Sequence, residues 1–388
     1  MKAHILWNTK LSGLLALAVV VNACGGNSST QNGGGNPPPP PPPATTEVLF
    51  ATSLVYEAVS YGVNLQTGVL ASPTFVHGTN GTYGIAATPS KKYLYTNDRA
   101  ASGVDGYAIG ESGTLTPING SPFALPFTNS TIDMDAIAMH PSGKFLYTVE
   151  AGANVVAGFQ IDAGSGALTA IPGSPFPAGS TPQVAVADPS GNFLYVSNSL
   201  GVLAFAIDAT TGALTQTSAS PFLLGSGAEG LAVHPTGKFL FVCLPGAGSI
   251  AAFNIDAATG ALNAVEGSPF PSIELMSSLT MDPKGKFLYT LGDFDGRIFG
   301  YSIDSTTGKL TSLAGSPFGL PEDLGNSTIT IDPSGQFLYA AGGAFDGVLS
   351  YQIDTGTGSL TAITPAGDPT GDQQYQTYPL GLTVLQFS

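Results

Sequence analysis

The chain has 388 residues, of which 43% are hydrophobic and only 10% charged, with 51 glycines, 30 prolines and a formal net charge of −15. Phosphate backbones are held by clustered Lys and Arg, so an acidic chain with two arginines, Arg99 and Arg297, excludes nucleic acid as a default partner. An anionic or phosphorylated small ligand would be held against the domain's own field.

In chain order the first element is a leader. Lys2 and Lys10 precede an apolar run at 11–21, followed by Asn22-Ala23-Cys24. The run is too short to cross a bilayer, so residues 1–23 read as a signal peptide. Val21-Asn22-Ala23-Cys24 resembles a bacterial lipobox, with Val21 and Asn22 departing from its commonest residues. The resemblance implies cleavage before Cys24, acylation of its thiol, and an exported protein whose first partner is membrane lipid of the cell envelope. The alternative is an ordinary secretory leader cut near Ala23. Residues 25–36 are rich in Gly, Ser and Asn, and Pro37 to Pro43 is an unbroken proline run, a stiff spacer of roughly 20 Å in polyproline II geometry. Residues 24–46 are therefore a lipidated cysteine with its linker, and 47–388 the folded part.

The folded part is written in repeats. His140-Pro141-Ser142-Gly143-Lys144-Phe145-Leu146-Tyr147 has counterparts beginning at Thr88, Asp188, His234, Asp282 and Asp332, with prolines 46 to 52 residues apart. Such a period means stacked supersecondary units, none able to bury its apolar faces alone. Each unit holds an apolar run, the Pro-Ser-Gly turn, a strand such as Phe145 to Val149, a third strand ending in Asp (Asp162, Asp208, Asp256, Asp304, Asp354), a Gly-containing turn, and a fourth strand before Gly-Ser-Pro-Phe. Four short strands per unit with no helical periodicity predict an all-β fold, a β-propeller. Six Pro-turns are accompanied by seven second strands, the extra one at 47–52. Its missing neighbour is 380–386. Seven blades of four antiparallel strands follow, one blade shared between the two ends of the folded part. The Phe of each Ser-Pro-Phe (Phe123, Phe176, Phe222, Phe270, Phe318) is the expected plug between blades.

Alternating strands sort the turns onto two faces. The Pro-turns and the Asp-x-x-x-Gly turns share one face and hardly change along the chain; His140 and His234 belong to it as turn residues. The loops on the other face vary, as binding loops on a rigid scaffold do. Acids crowd that variable face, among them Glu57, Asp98, Asp105, Asp135, Glu150, Glu229 and Asp372, which favours cations or neutral, hydroxyl-rich ligands. Asp293-Phe294-Asp295-Gly296 opens like a calcium loop but lacks the later ligands, so no metal is expected, and no cofactor motif is present. The one tryptophan, Trp7, lies in the leader, so sugar stacking must use other aromatics. Tyr56, Tyr83, Tyr375 and Tyr378 stand outside the repeating strand positions; ring closure would bring them together at the shared blade, near Glu57 and Asp372. Packing at the seam explains the same four equally well.

Pro-Ser-Gly-Lys-Phe-Leu-Tyr together with Ile-Asp-x-x-Thr-Gly-x-Leu resembles the lactonase-like seven-bladed propellers, the group of 6-phosphogluconolactonase-type and muconate-cycloisomerase-type enzymes, over residues 47–388. Active members of that family carry Arg and His six and five residues before the turn proline. Here the six-before position holds Tyr83, Asp135, Gln183, Glu229, Ser277 and Ser327, and the five-before position holds Gly84, Ala136, Val184, Gly230, Ser278 and Thr328. The family's Asn-Glu is absent as such: Asn198 is followed by Ser199, and Glu150 sits one place early. Two readings stand. In one, a non-catalytic anchored propeller binds a neutral sugar or a protein, with Gln183, Glu57 and the four tyrosines as ligand-binding residues. In the other, a lactonase opens a neutral sugar lactone with Asp135 or Glu229 as general base.

Overall fold

Phe-Leu-Tyr or a close variant near the head of each second strand alternates large apolar side chains to both faces of a strand, and such a strand must be covered on both sides. In the computed structural model, which describes residues 46–53, 58–76, 84–98, 102–127, 134–272, 276–292, 297–319, 327–342, 347–363 and 379–387, this is achieved by seven sheets of antiparallel strands. The six complete blades have second strands Tyr93–Asp98, Phe145–Glu150, Phe193–Asn198, Phe239–Leu244, Phe287–Gly292 and Phe337–Gly342, and are called blades 2 to 7. The first blade is built from both ends. Pro379–Phe387 is its innermost strand and pairs with Thr46–Ser53, which is followed outward by Ala58–Val63 and Thr74–Val76. Closure by the C-terminal strand is as the sequence predicts.

The leucine at the second place of each second strand is wholly buried in all seven blades (Leu49, Leu94, Leu146, Leu194, Leu240, Leu288, Leu338), each worth about 1.5–3 kcal/mol of hydrophobic stabilisation. The core is not one mass. It is seven apolar clusters, each spanning the junction of two adjacent blades.

Two devices lock the junctions. The aromatic at the head of a second strand lies under the glycine of the next blade's Asp-x-x-x-Gly turn; a Cβ on Gly212, whose φ is +74°, would come within 2.6 Å of Phe145. Two residues along, a buried tyrosine hydroxyl donates to that same turn: Tyr95 to Gly166 O (2.7 Å), Tyr147 to Gly212 O (2.8 Å), Tyr195 to Gly260 O (3.2 Å) and Tyr289 to Gly358 O (2.7 Å). The aspartate holds the turn by accepting backbone N–H bonds, as in Asp208 to Thr210 and Thr211 at 3.0 and 2.8 Å.

The Ser-Pro-Phe segments differ from expectation. They continue the fourth strand after a turn and pair with the first residues of the third, for example Phe176 opposite Val156. Only Phe176 is buried; Phe123, Phe222, Phe270 and Phe318 are half-buried at the rim of the junction clusters. The full plugs are the strand-heading aromatics. The serine is the more regular partner, since Ser121, Ser174, Ser220, Ser268 and Ser316 each accept the backbone N–H of the third strand's middle residue at 2.9–3.0 Å. That N–H faces the gap between the two halves of the outer strand, and the hydroxyl fills the place of the missing ladder bond.

The shared blade has no Pro-turn. Its two central strands run straight on where the turn would curl, adding the pairs Val48↔Leu385, Glu47↔Gln386 and Thr46↔Phe387 beyond the last pair that the other blades make.

Candidate functional site

The histidines of the turn face are committed to structure. His140 is 7% exposed, with Nδ1 2.7 Å from Ser142 Oγ and Nε2 2.9 Å from Gly191 O of the next blade. His234 repeats this with Thr236 (2.7 Å) and Gly285 O (3.0 Å). Both rings are stapled between blades by both nitrogens. The five turn aspartates are held below the ordinary carboxylate range by the hydrogen bonds that make their turns.

The variable face opens on the upper ends of the second strands, where the repeat breaks down. At the last two places of those strands, blades 2 to 4 carry Asn97-Asp98, Val149-Glu150 and Ser197-Asn198. Blades 5 to 7 carry Cys243-Leu244, Leu291-Gly292 and Ala341-Gly342. One side of the ring therefore buries acids and amides at a level where the other buries apolar or no side chains. Asp98 and Glu150 are each 1% exposed and Asn97 is 0% exposed. Thr148 Oγ1, which carries one proton, lies 3.2 Å from Asn97 Oδ1 and 3.4 Å from Glu150 Oε1, and so ties blade 2 to blade 3. The side-chain NH2 of Asn97 and the hydroxyl of Thr96 have no partner among the described residues. Asn198 is committed to backbone: its Oδ1 accepts from Leu200 and Gly201 of its own loop, and its Nδ2 donates to Ala178 O of the blade 3–4 connection at 3.3 Å.

Around the axis the first strands of neighbouring blades pack side by side, and their entry residues line the same rim. Gln183 and Glu229 occupy equivalent places in blades 4 and 5, half-buried, their backbone N–H groups bonded to Ser197 O (3.0 Å) and Cys243 O (3.1 Å). Gln183 Nε2 lies 3.4 Å from Thr181 O. Asp135 sits on the strand Met134–Met139, next to the residue that faces Glu150. Tyr56, Glu57, Tyr83, Tyr375 and Tyr378 fall outside the described residues, as do the side chain of Asp135 and Cys24. Cys243 is buried, with Sγ 3.9 Å from Thr290 Oγ1. Among the described residues the one cation on this face is Arg297 of blade 6, exposed at the start of its strand, with its guanidinium 5.6 Å from the Phe299 ring centroid. No group of His, Cys, Asp and Glu among the described residues is placed to hold a metal ion.

Reading the chain in order does not single out Asn97, Thr148 and Glu150 as a group. Aligning the second strands place by place brings out Asn97 and Glu150, because the first three places are aromatic, leucine and aromatic in all six complete blades while the last two change.

The solved structures similar to this chain share its architecture. A candidate 6-phosphogluconolactonase from Bacteroides fragilis superposes with a TM-score of 0.71 at 19% identity, covering 89% of this chain and 99% of that one. The periplasmic gluconolactonase PpgL of Pseudomonas aeruginosa gives 0.70 at 17% identity, covering 89% and 100%. A Lactobacillus plantarum protein gives 0.71 at 17%, covering 88% and 100%. At these identities the likeness is one of fold. No curated protein matches the chain in sequence. The model of the family described as lactonase, 7-bladed beta-propeller, matches residues 136–322 and 231–368, and with seven blades closed by the C-terminal strand the chain belongs to that family.

Proposed function

We propose that this protein binds a neutral, hydroxyl-rich small molecule of the sugar or sugar-lactone class at the variable face, over blades 2 to 5. The observation that carries the reading is the concentration of buried acid, amide and hydroxyl groups on blades 2 to 4, with no cation among the described residues of those strands' upper ends. Such groups hydrogen-bond hydroxyls and leave a carboxylate or phosphate without a counter-charge. Gln183 and Glu229 stand at the rim as direct ligands. Tyr83 lies two residues before the first strand Ile85–Ala87 and Tyr378 immediately before Pro379–Phe387, and both are the stacking candidates, with Tyr56, Tyr375 and Glu57 beside them in this reading. The leader supports an exported protein held to the envelope through an acylated Cys24.

Family membership favours a second reading, opening of a neutral lactone, in which Asp135 or Glu229 activates water by general-base catalysis. Calorimetry against neutral aldonolactones and their parent sugars, run beside a pH-stat assay, separates the two. Binding without turnover, weakened tenfold or more in Glu229→Gln, supports the first. Turnover lost in the same variant supports the second. Binding of 6-phosphorylated lactones in preference to neutral ones would overturn both.

A further inference from the structure

At the place of Glu47 the other blades carry Lys92, Lys144, Asn192, Lys238, Lys286 and Gln336, all exposed. Glu47 is 2% exposed, and neither carboxylate oxygen has a hydrogen-bond partner among the described residues. It lies in the extra length of ladder that replaces the seventh Pro-turn, opposite Gln386 of the closing strand and Val63. By strand alternation its side chain shares the face of Leu49 and Ala51, which pack against blade 7.

The groups that face it are few. Blade 7 presents Asp332, whose carboxylate already accepts N–H bonds from Ser334, Gln336 and Phe337, and Tyr339. Tyr339 occupies the place from which four other tyrosines donate to the next blade's turn. Its own hydroxyl has no partner among the described residues, and the strongest charge it feels is Glu47. From blade 2, Lys91 donates its ammonium to the carbonyl of Gln386, from a left-handed backbone (φ 58°) where the other five turns have glycine. Blade 2 therefore holds the closing strand by a cation, while the blade 7 side has an acid with no counter-charge among the described residues.

We propose that Glu47 is a proton-operated clasp on the ring: with its carboxyl neutral the closing strand is seated, and with it ionised the strand 379–387 loosens from the blade 7 side. A buried carboxylate with no donor carries its full desolvation cost, whereas the neutral acid is far less costly to bury. Burial, and behind it the charge of Asp332, pushes the Glu47 carboxyl up from 4.5 to about 7. The sign follows. The folded state holds the proton more tightly than the unfolded one, so this group's contribution is full below the unfolded value and is lost as pH rises through about 7. His234, buried and pushed below its ordinary value, acts in the opposite direction: its contribution grows as pH rises towards 6.5.

Hydrogen exchange of the full chain between pH 5.5 and 8.5, corrected for the intrinsic rate, tests the clasp. Protection of the amides in 379–387 and 46–53 should fall roughly tenfold or more across this range, while blades 3 to 5 hold theirs. Glu47→Gln should abolish the dependence and keep the strand protected at high pH. Equal loss in all blades, or an unchanged pH response in Glu47→Gln, overturns the proposal. Should that variant not fold, carboxyl-carbon NMR titration of the unaltered protein decides alone, since a Glu47 midpoint below about 5 leaves no clasp to operate.

Discussion

The junction of blades 3 and 4 and the junction of the shared blade with blade 2 are made by the same strands of the repeat, and they are packed very differently. The first buries a cluster of fifteen side chains among the described residues, from Phe145 and Tyr147 to Phe205 and Leu214. Among the described residues the second buries four, namely Val48, Phe50, Leu94 and Tyr107. Where five blades place Phe and one Tyr, the shared blade has Val48; opposite it stands Gly62, and beside them lies an open cavity of about 650 Å³ that Val69, Ala71 and Ser112 help to line. Closure therefore rests less on side-chain packing at this junction and more on backbone, through the extra ladder pairs and the Lys91 bond to Gln386. A ring closed within a sheet can tolerate a thinly packed neighbour because the sheet supplies the hydrogen bonds.

The largest test is to remove residues 379–388. Without the innermost strand, Thr46–Ser53 loses the partner that closes the ring, and the protein should lose cooperative unfolding, seen as a broad melt by circular dichroism; a melt like that of the intact chain would show that the ring closes elsewhere. Next is Phe145→Ala, expected to cost about 3–5 kcal/mol by denaturant titration, against roughly 1–2 kcal/mol for Val48→Ala. Equal losses would mean that the two junctions contribute alike. A smaller contrast lies in the hydroxyls. Tyr147→Phe removes the bond to Gly212 and should cost about 1 kcal/mol, whereas Tyr339→Phe removes a hydroxyl with no partner among the described residues and should cost nothing or stabilise slightly at pH 7. The smallest effect expected is from Lys91→Gly. It relieves a left-handed lysine while losing the bond to Gln386, so the net change in melting temperature should be within a degree or two, and the loss should appear as faster exchange in 379–387 alone.

The repeat made the architecture legible. A proline turn written six times beside seven second strands is enough to place the shared blade, because β-pairing leaves the odd strand one possible partner. The role of Ser-Pro-Phe was half legible: the phenylalanine announced packing, but the serine's bond to a third-strand N–H depends on the gap in the outer strand, which no residue type signals. The site was least legible. Asp98 and Glu150 look in sequence like two of many loop acids, and only their burial at equivalent places in adjacent blades sets them apart from solvated ones such as Glu266, whose carboxylate meets Lys309 at 2.9 Å on the surface. Glu47 was hidden for a related reason. As the first residue of a strand it is ordinary, and its burial comes from a ladder that continues where the other blades turn.

Thr46 and Phe387 end as direct partners on adjacent antiparallel strands. Two such residues are the natural flanks of a two-residue hairpin, and an Asn-Gly link between them would make the polypeptide of the propeller endless. An endless ring has no first blade. It could then be cut at any Pro-turn, for instance between Ser190 and Gly191, to give circular permutants in which the shared blade becomes an ordinary local sheet and another blade takes over the closure.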